Sequence, residues 1–209
     1  MVDPGLEQFV CASLPRPPAR VLEVGAGYGE LAALLRGAGY AVVAIDPAGE
    51  GDVLAVALLD LDEPDASFDA AVAVVSLHHV EPLEPSVRRL AEVVRPGGAL
   101  VVDELDVDRL DERAAAWLIE QWRAAGREPF ETPRELTDRM REHVHRLATV
   151  ADALEPWFEL GPAARGSYLH RWHLEPGLRP AEEALIATGD LPAVGARIVG
   201  TRRGEDGSR

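Results

Sequence analysis

The sequence predicts a doubly wound α/β fold, with a mostly parallel sheet and helices on both faces. Two observations support this prediction. Short apolar runs rich in β-branched residues alternate with segments of helical spacing over residues 20–105. The runs are nearly continuously apolar, as expected of strands that are covered on both faces of a parallel sheet. Since 209 residues suffice for one such unit, we expect a single domain over residues 1–209.

The first half of the chain contains the alternation. RVLEVGA is an apolar run ending in glycine, GELAALLRGAG has leucines at helical spacing before a glycine stop, and YAVVAID is the next strand. GDVLAVALLDL, SFDAAVAVVSL and ALVVDEL continue the pattern, and the helical segment VRRLAEVVRPGG precedes the last of them. We therefore predict five strands in this half, within positions 20–26, 40–46, 51–61, 67–77 and 99–105.

Helical patterns dominate after Leu105. Helices are predicted at 109–126 and 133–154, and a third follows in RPAEEALIATG. PWFEL and VGARIVGTR would be the sixth and seventh strands. We expect residues 105–155 to form a helical cover over the carboxyl ends of the strands, where open α/β sheets bind ligands. Residues 203–209 read as a disordered tail.

The composition and the charge of the chain disfavour nucleic acid and membranes as binding partners. The formal net charge is −15, and all 21 basic residues are arginine. A surface this acidic repels a polyphosphate backbone, which disfavours nucleic acid. No apolar run reaches membrane-spanning length and the N-terminus lacks an apolar targeting core, so we expect a cytoplasmic monomer or homodimer with no membrane contact. A single cysteine, Cys11, excludes an internal disulfide.

The glycine turn after the first strand indicates the charge of its ligand. Gly25, Gly27 and Gly29 form G-x-G-x-G, which is shorter than the G-x-G-x-x-G of dinucleotide sites. Glu23 and Glu30 flank the glycines. Carboxylates disfavour an anion and favour a cation, so the turn predicts a ligand that carries positive charge and no phosphate.

Together with later segments, this turn resembles the class I S-adenosylmethionine-dependent methyltransferases. The shared features are an acid, one spacer and G-x-G-x-G at 23–29, the acid Asp46 ending the next strand, PDASFDAAVAVVSLHHVEPLE, and LAEVVRPGGALVVDE. They cover roughly residues 20–104. The resemblance implies a Rossmann-like fold and S-adenosyl-L-methionine as cofactor. It also implies a set of cofactor-binding residues, namely Glu23, Gly25, Ala26, Gly27, Gly29, Asp46, Pro47, Asp60, Leu61, Ser76 and Leu77.

Candidate catalytic groups lie at the ends of the fourth and fifth strands. Methyl transfer from a sulfonium needs alignment and desolvation, and it needs a base only if the acceptor must lose a proton. His78, His79 and Glu104 are placed to act as that base or to orient the acceptor. Asp103, Tyr168, His170 and Trp172, with His173, are candidates for the acceptor pocket. No carboxylate at suitable spacing accompanies the pairs His143-x-His145 and His170-x-x-His173, so we predict no metal.

The predicted function is methyl transfer to oxygen or nitrogen of a small-molecule acceptor. Three alternatives remain open: a cofactor-binding regulatory protein of the same fold, a nucleic-acid or protein methyltransferase, and a cofactor-dependent enzyme of other chemistry. The segment VSLHHVEP stands where a base-amino methyltransferase would carry an Asn/Asp-Pro-Pro-aromatic motif. A nicotinamide dehydrogenase would need the longer glycine spacing.

Overall fold

The structure is a computed structural model that describes residues 3–127, 132–172 and 176–204. Within these ranges the chain forms eight strands and seven α-helices. The strands are β1 Arg20–Val24, β2 Ala41–Asp46, β3 Leu54–Ala55, β4 Phe68–Val74, β5 Val94–Leu105, β6 Phe158–Leu160, β7 Ala164–Gly166 and β8 Gly195–Arg202. The helices are α1 Pro4–Ser13, α2 Glu30–Gly37, α3 Leu83–Val93, α4 Glu112–Ala124, α5 Pro133–His143, α6 Leu147–Leu154 and α7 Arg179–Thr188.

One sheet organises the molecule, in the order β3-β2-β1-β4-β5-β8-β6, with β7 paired to β8 outside that path. The first five strands of this order pair in parallel, whereas β8 pairs antiparallel with β5, β6 and β7. The predicted α/β fold with a mostly parallel sheet is thus confirmed. The described residues contain eight strands where seven were predicted, because the three-residue β7 has no apolar run that would mark it.

The two faces of the sheet follow the alternation of side chains along each strand. On β1, Leu22 and Val24 pack with α3 and α6, whereas Val21 packs on the opposite face with α1 and α2. Because Glu23 shares the face of Val21, its carboxylate is directed toward the side that α1 and α2 cover. The expected covering of both faces by helices is confirmed.

The predicted cover over residues 105–155 divides into two parts. Helices α4 and α5 form a cluster with Leu105 and the partly buried Val75, at the carboxyl ends of β5 and β4. Helix α6 instead packs beside α3 on one face of the sheet. The single helix predicted over 133–154 is therefore wrong. Val144 adopts an extended conformation, and the His145 N–H donates to the His78 carbonyl at 2.9 Å, which ends α5.

Three further details differ from the sequence predictions. Helix α1 was not predicted, although Asp3 caps its N-terminus and Pro4 occupies its first turn. The Pro-Gly-Gly turn lies inside β5 as a bulge, where pairing with β4 shifts register. Arg203 is held against Trp157 and Glu155 by hydrogen bonds, and the rest of the predicted tail, 205–209, lies outside the described residues. No helix in the described part of the chain combines the length and the apolarity that a bilayer crossing requires.

Candidate active site

The glycine turn connects β1 to α2, and its three glycines have different roles. Gly25, Gly27 and Gly29 have φ of +69°, +53° and +76°, a region that residues with a side chain rarely adopt. A Cβ on Gly25 would lie 2.3 Å from Ser76 Cβ. Gly29 precedes α2 and approaches Val53, and a Cβ on Gly27 would meet no atom within 4 Å. Gly25 therefore allows β1 and the end of β4 to approach closely.

Glu23 is a buried carboxylate beside this turn. Only 4% of the residue is exposed, and its Oε2 has no hydrogen-bond partner among the described residues. Burial raises the pKa of Glu23 from 4.5 to about 7, although Arg36 and a backbone contact at Ala32 oppose the shift. Glu23 lines a cavity of about 440 Å³, here called the Glu23 cavity. Its other lining residues include Asp3, Leu6, Gly25, Ala26, Leu31, Val75, His170 and Arg171.

Asp46 ends β2 and lies across the turn from Glu23. Its Oδ2 accepts the Gly27 N–H at 3.0 Å and its Oδ1 accepts the Ala48 N–H at 2.9 Å. Each carboxylate oxygen has two lone pairs, so both can accept a further hydrogen bond. Asp46 lines a second cavity, of about 360 Å³, here called the Asp46 cavity, together with Pro47, Val56, Ala57, Leu58, Ser76 and His79. The two cavities share Gly25 and Val75.

Asp60 and Leu61, which were predicted to contact the cofactor, line neither cavity. Residues Leu58–Asp60 form a 3-10 turn, which leaves Asp60 exposed and buries Leu61 in the core. The preceding residues Ala57 and Leu58 border the Asp46 cavity instead. The short β3 and this turn interrupt the strand expected over 51–61, and the contact of Asp60 and Leu61 with a cofactor stays a prediction.

The segment after β4 borders both cavities. Ser76 lines the Asp46 cavity, and its buried Oγ has no partner in the described part of the chain, whereas Leu77 is buried in the core. Val75 has φ of +53°, an unfavourable conformation for a β-branched residue, and its N–H donates to the Asp103 carbonyl at 2.8 Å. Such strain is often found at ligand sites. Val75 was not predicted, since no sequence pattern marks a strained residue.

His78 and Glu104 form a buried pair behind the Asp46 cavity. His78 Nδ1 lies 2.5 Å from Glu104 Oε2, and Glu104 Oε1 accepts the N–H groups of Ser76 and Leu77 at 2.9 and 2.7 Å. Neither residue lines either cavity. The geometry therefore favours a positioning role for both residues over the direct contact with the acceptor that was predicted.

His79 differs from His78, because it borders the Asp46 cavity. Desolvation lowers the pKa of His79, as do the neighbouring rings of His78 and His145, while Glu104 opposes the shift. A lowered pKa keeps the ring neutral near pH 7 and able to accept a proton. His79 remains a candidate base.

Asp103 pairs with two arginines and lines a third cavity, of about 180 Å³, together with His170, Arg171 and Arg197. Arg171 binds its two oxygens at 2.6 and 3.2 Å, and Arg197 Nε donates to Oδ2 at 2.7 Å. Asp103 is buried and lines neither the Glu23 cavity nor the Asp46 cavity. Its role is to hold Arg171, which was not predicted and does line the Glu23 cavity.

The aromatic residues predicted for the acceptor pocket pack in the core. Tyr168 and Trp172 belong to the α4–α5 cluster, and their rings meet edge to face at 6.3 Å. Trp122 Nε1 donates to the Trp172 carbonyl at 2.9 Å. Neither Tyr168 nor Trp172 lines the Glu23 cavity or the Asp46 cavity, and their assignment to an acceptor pocket stays a prediction. His173 lies outside the described residues.

His170 lines the Glu23 cavity, and its assignment to an acceptor pocket stays a prediction. Its Nδ1 lies 2.8 Å from Oε2 of Glu182, a carboxylate with no exposed surface on α7. The sequence analysis missed Glu182, which occupies an ordinary helical position. Within the described residues, no group of three or more metal-ligating side chains is arranged to hold a metal ion.

Buried polar atoms without partners concentrate at the two cavities. The described residues contain five such side-chain atoms, and four belong to Glu23, Ser76, His170 and Arg171. Leaving a buried polar group unsatisfied costs about 1–3 kcal/mol. The four residues that carry these atoms all line one of the two cavities.

The fold and this site define the class of the protein, and comparison with known families agrees. The sheet order and the glycine turn beside two cavities are those of a nucleotide-type cofactor domain. A family model described as a methyltransferase domain matches residues 5–161. The chain therefore belongs to this methyltransferase family, and the predicted family, S-adenosylmethionine-dependent methyltransferase, is confirmed.

Individual relatives show how far the similarity extends. An uncharacterized methyltransferase of Mycobacterium tuberculosis is 41% identical over 98 residues, 42% of this chain and 40% of the relative. This chain thus spans about two fifths of the length of that relative. Malonyl-(acyl-carrier protein) O-methyltransferase of Pseudescherichia vulneris is 27% identical over 195 residues, 87% of this chain and 66% of the relative.

A solved structure shows the same fold. The 1,6-didemethyltoxoflavin-N1-methyltransferase of Burkholderia thailandensis, solved with 1,6-didemethyltoxoflavin and S-adenosylhomocysteine, superposes with a TM-score of 0.58 at 17% identity. The superposition covers 97% of this chain and 78% of that chain. At this identity the similarity concerns the fold alone.

Proposed function

We propose that the protein binds S-adenosylmethionine across the two cavities and transfers its methyl group to oxygen or nitrogen of a small molecule. The observation that carries the proposal is the placement of two acids on either side of Gly25. Asp46 has free lone pairs beside one cavity, and Glu23 has an unpartnered oxygen beside the other. A ribose offers two hydroxyl donors for the first acid, and an ammonium or sulfonium offers positive charge to the second.

The residues present fit this cofactor. Ala57 and Leu58 supply apolar surface in the Asp46 cavity for a base, and Ser76 Oγ can hydrogen-bond there. The first turn of α2 borders the Glu23 cavity, and Gly29 gives it no side-chain cap, but the Glu23 carboxylate beside that turn disfavours a phosphate there. When bound, the cofactor supplies an electrophilic methyl group. The protein aligns the acceptor at the junction near Gly25 and Val75 and excludes water from it.

A small-molecule acceptor is supported by the size and lining of the Glu23 cavity. About 440 Å³ lies within the range of small-ligand sites, and Leu6, Leu31 and Val75 supply apolar walls. Named relatives act on oxygen or nitrogen, as an O-methyltransferase and an N1-methyltransferase. Both atom types are consistent with the Glu23 cavity, since either could place its proton near His170, which lines that cavity.

Calorimetry and turnover together test the proposal. Titrations with S-adenosylmethionine, S-adenosylhomocysteine and NAD should show binding of the two sulfur compounds and none of NAD. Formation of S-adenosylhomocysteine over an acceptor panel then separates an enzyme from a regulatory protein that binds the cofactor without turnover. NAD binding alone, or no binding of any of the three, would contradict the proposal.

A further inference from the structure

His170 and Arg171 are consecutive residues that line the Glu23 cavity, and each carries one buried polar atom without a partner. His170 Nε2 and Arg171 Nε have no hydrogen-bond partner among the described residues, and both residues line the cavity. Arginine Nε is always a donor, whereas a neutral histidine accepts through whichever nitrogen lacks the proton. The position of the proton on the His170 ring therefore decides whether Nε2 accepts a hydrogen bond from a ligand or donates one to it.

Glu182 determines that position. Its Oε1 accepts the N–H groups of Tyr168 and Leu169 at 2.7 and 2.9 Å, and its Oε2 accepts the His170 N–H at 2.9 Å and faces His170 Nδ1 at 2.8 Å. Desolvation would raise the pKa of Glu182, but the His170 side chain and the three backbone donors hold it below its usual value. Because an ionised carboxylate only accepts, the neutral ring carries its proton on Nδ1 and its lone pair on Nε2.

Charged groups from two other segments face the same ring. Asp3 Oδ2, at the start of α1, lies 3.8 Å from His170 Nε2, too far for a hydrogen bond. Arg179 on α7 holds Asp3 at 3.0 Å. Asp3 is close enough to stabilise a proton that arrives on Nε2, and the pairing with Arg179 keeps it in place.

Arg171 is fixed in a way that directs its remaining donor. Both terminal nitrogens bind Asp103, which also binds Arg197, so the three side chains carry one net positive charge. The bidentate pairing sets the plane of the guanidinium. The Nε–H of Arg171 is left without a hydrogen-bond partner among the described residues.

We propose that His170 and Arg171 together recognise the methyl acceptor as a molecule whose O–H or N–H nucleophile stands beside a carbonyl or carboxylate oxygen. The inference rests on the proposed methyl transfer. Arg171 Nε–H donates to the oxygen, and the nucleophile donates its proton to His170 Nε2. As the bond from oxygen or nitrogen to the methyl carbon forms, the carbon–sulfur bond breaks with its electron pair left on sulfur, and the proton moves to Nε2. Glu182 acts as a positioning residue.

Binding of four probes to protein saturated with S-adenosylhomocysteine tests this recognition by calorimetry. Salicylate and 2-hydroxyacetophenone carry a hydroxyl beside a carboxylate or a carbonyl, whereas phenol and benzoate each lack one group. At least one of the first two should bind tenfold or more tightly than both phenol and benzoate, and the better of them shows which oxygen is preferred. The advantage should fall below threefold in His170→Asn and in Arg171→Lys.

Equal affinity of all four probes, no measurable binding of any, or an advantage that persists in both variants would overturn the inference. Failure of S-adenosylhomocysteine itself to bind would instead contradict the proposed function. The two failures are thus distinguishable, because the cofactor product is titrated first.

The role of Glu182 is tested by nitrogen-15 NMR of the histidine rings at pH 8. His170 should carry its proton on Nδ1 in the wild-type protein. Glu182→Gln should reduce that tautomer, since an amide nitrogen replaces one of two accepting oxygens while the same donors remain. Glu183→Gln, which changes the neighbouring carboxylate, should leave the tautomer unchanged. A proton on Nε2 in the wild type, or no response to Glu182→Gln, would show that Glu182 does not position the ring.

Discussion

The molecule contains the same arrangement twice, in Ser76-Leu77-His78 with Glu104 and in Tyr168-Leu169-His170 with Glu182. In each, a buried glutamate accepts the N–H groups at the start of a 3-10 turn and faces the Nδ1 of the histidine that follows. The surroundings differ. His78 lines neither cavity, whereas His170 borders the Glu23 cavity. The same local arrangement therefore lies away from both cavities in one place and borders the Glu23 cavity in the other.

The largest expected effect is a loss of stability when the glutamate of either arrangement is removed. Glu104→Ala and Glu182→Ala should each lower the free energy of unfolding by about 3–5 kcal/mol, because each strands a buried histidine and backbone donors. Denaturant unfolding measures both, with the exposed Glu142→Ala as control, expected within about 0.5 kcal/mol of wild type. If only one of the two variants loses this much stability, the pairs His78–Glu104 and His170–Glu182 do not contribute equally to the fold.

A second change acts on the turn that carries His78. In Gly25→Ala, the new Cβ would lie 2.3 Å from Ser76 Cβ at a φ of +69°. Strain and overpacking should together cost about 2–4 kcal/mol of stability and disturb the Asp46 cavity. Gly126→Ala is the matched control, since Gly126 has φ of +75° with open space around it. Equal stability losses in the two variants would show that contact with Ser76 is unimportant.

The third prediction concerns cofactor affinity alone. Asp46→Ala should weaken binding of S-adenosylmethionine by about 10–100-fold, the cost of losing hydrogen bonds to a charged group. Calorimetry measures this, and Asp52→Ala, which removes an exposed acid nearby, serves as control. Wild-type affinity in Asp46→Ala would remove Asp46 from the cofactor site.

The smallest effect follows from Glu23. Its pKa of about 7 means that it is mostly protonated below pH 7 in the free protein. A cationic ligand prefers the ionised form, so cofactor affinity should fall about tenfold from pH 8 to pH 6. Glu23→Gln should abolish this dependence. Because the folded pKa lies above the usual 4.5, stability of the free protein should decrease as pH rises from 4.5 toward 7. A flat affinity profile would exclude a charged contact at Glu23.

The β-α-β unit around the glycine turn could be predicted because its residues are specified locally. The apolar runs of β1 and β2 and the glycines between them leave few alternative assignments of secondary structure. Asp46 is easily located because it is the last residue of β2. The positions of Asp60 and Leu61 were harder to predict than that of Asp46. The 3-10 turn at Leu58–Asp60 changes which residues face the Asp46 cavity, and the hydrophobic pattern of the sequence does not reveal this turn.

The acceptor side depends on contacts between segments far apart in sequence. Asp3, Arg171 and Glu182 meet near one cavity through α1, a 3-10 turn and α7, and none has a distinctive local pattern. Tyr168 and Trp172, which were predicted for an acceptor pocket, pack in the core. The segments Ser76-Leu77-His78 and Tyr168-Leu169-His170 have similar local sequences. Tertiary packing alone decides that His170 borders a cavity and His78 does not, so the sequence could not distinguish the two histidines.

The most direct test is a crystal structure of the protein with S-adenosylhomocysteine. The account predicts that the ribose hydroxyls bind Asp46, that the amino group lies next to Glu23, and that the sulfur lies near Gly25 and Val75, where the cavities meet. Density for the ligand outside both cavities, or in them with Glu23 and Asp46 making no contact, would contradict it.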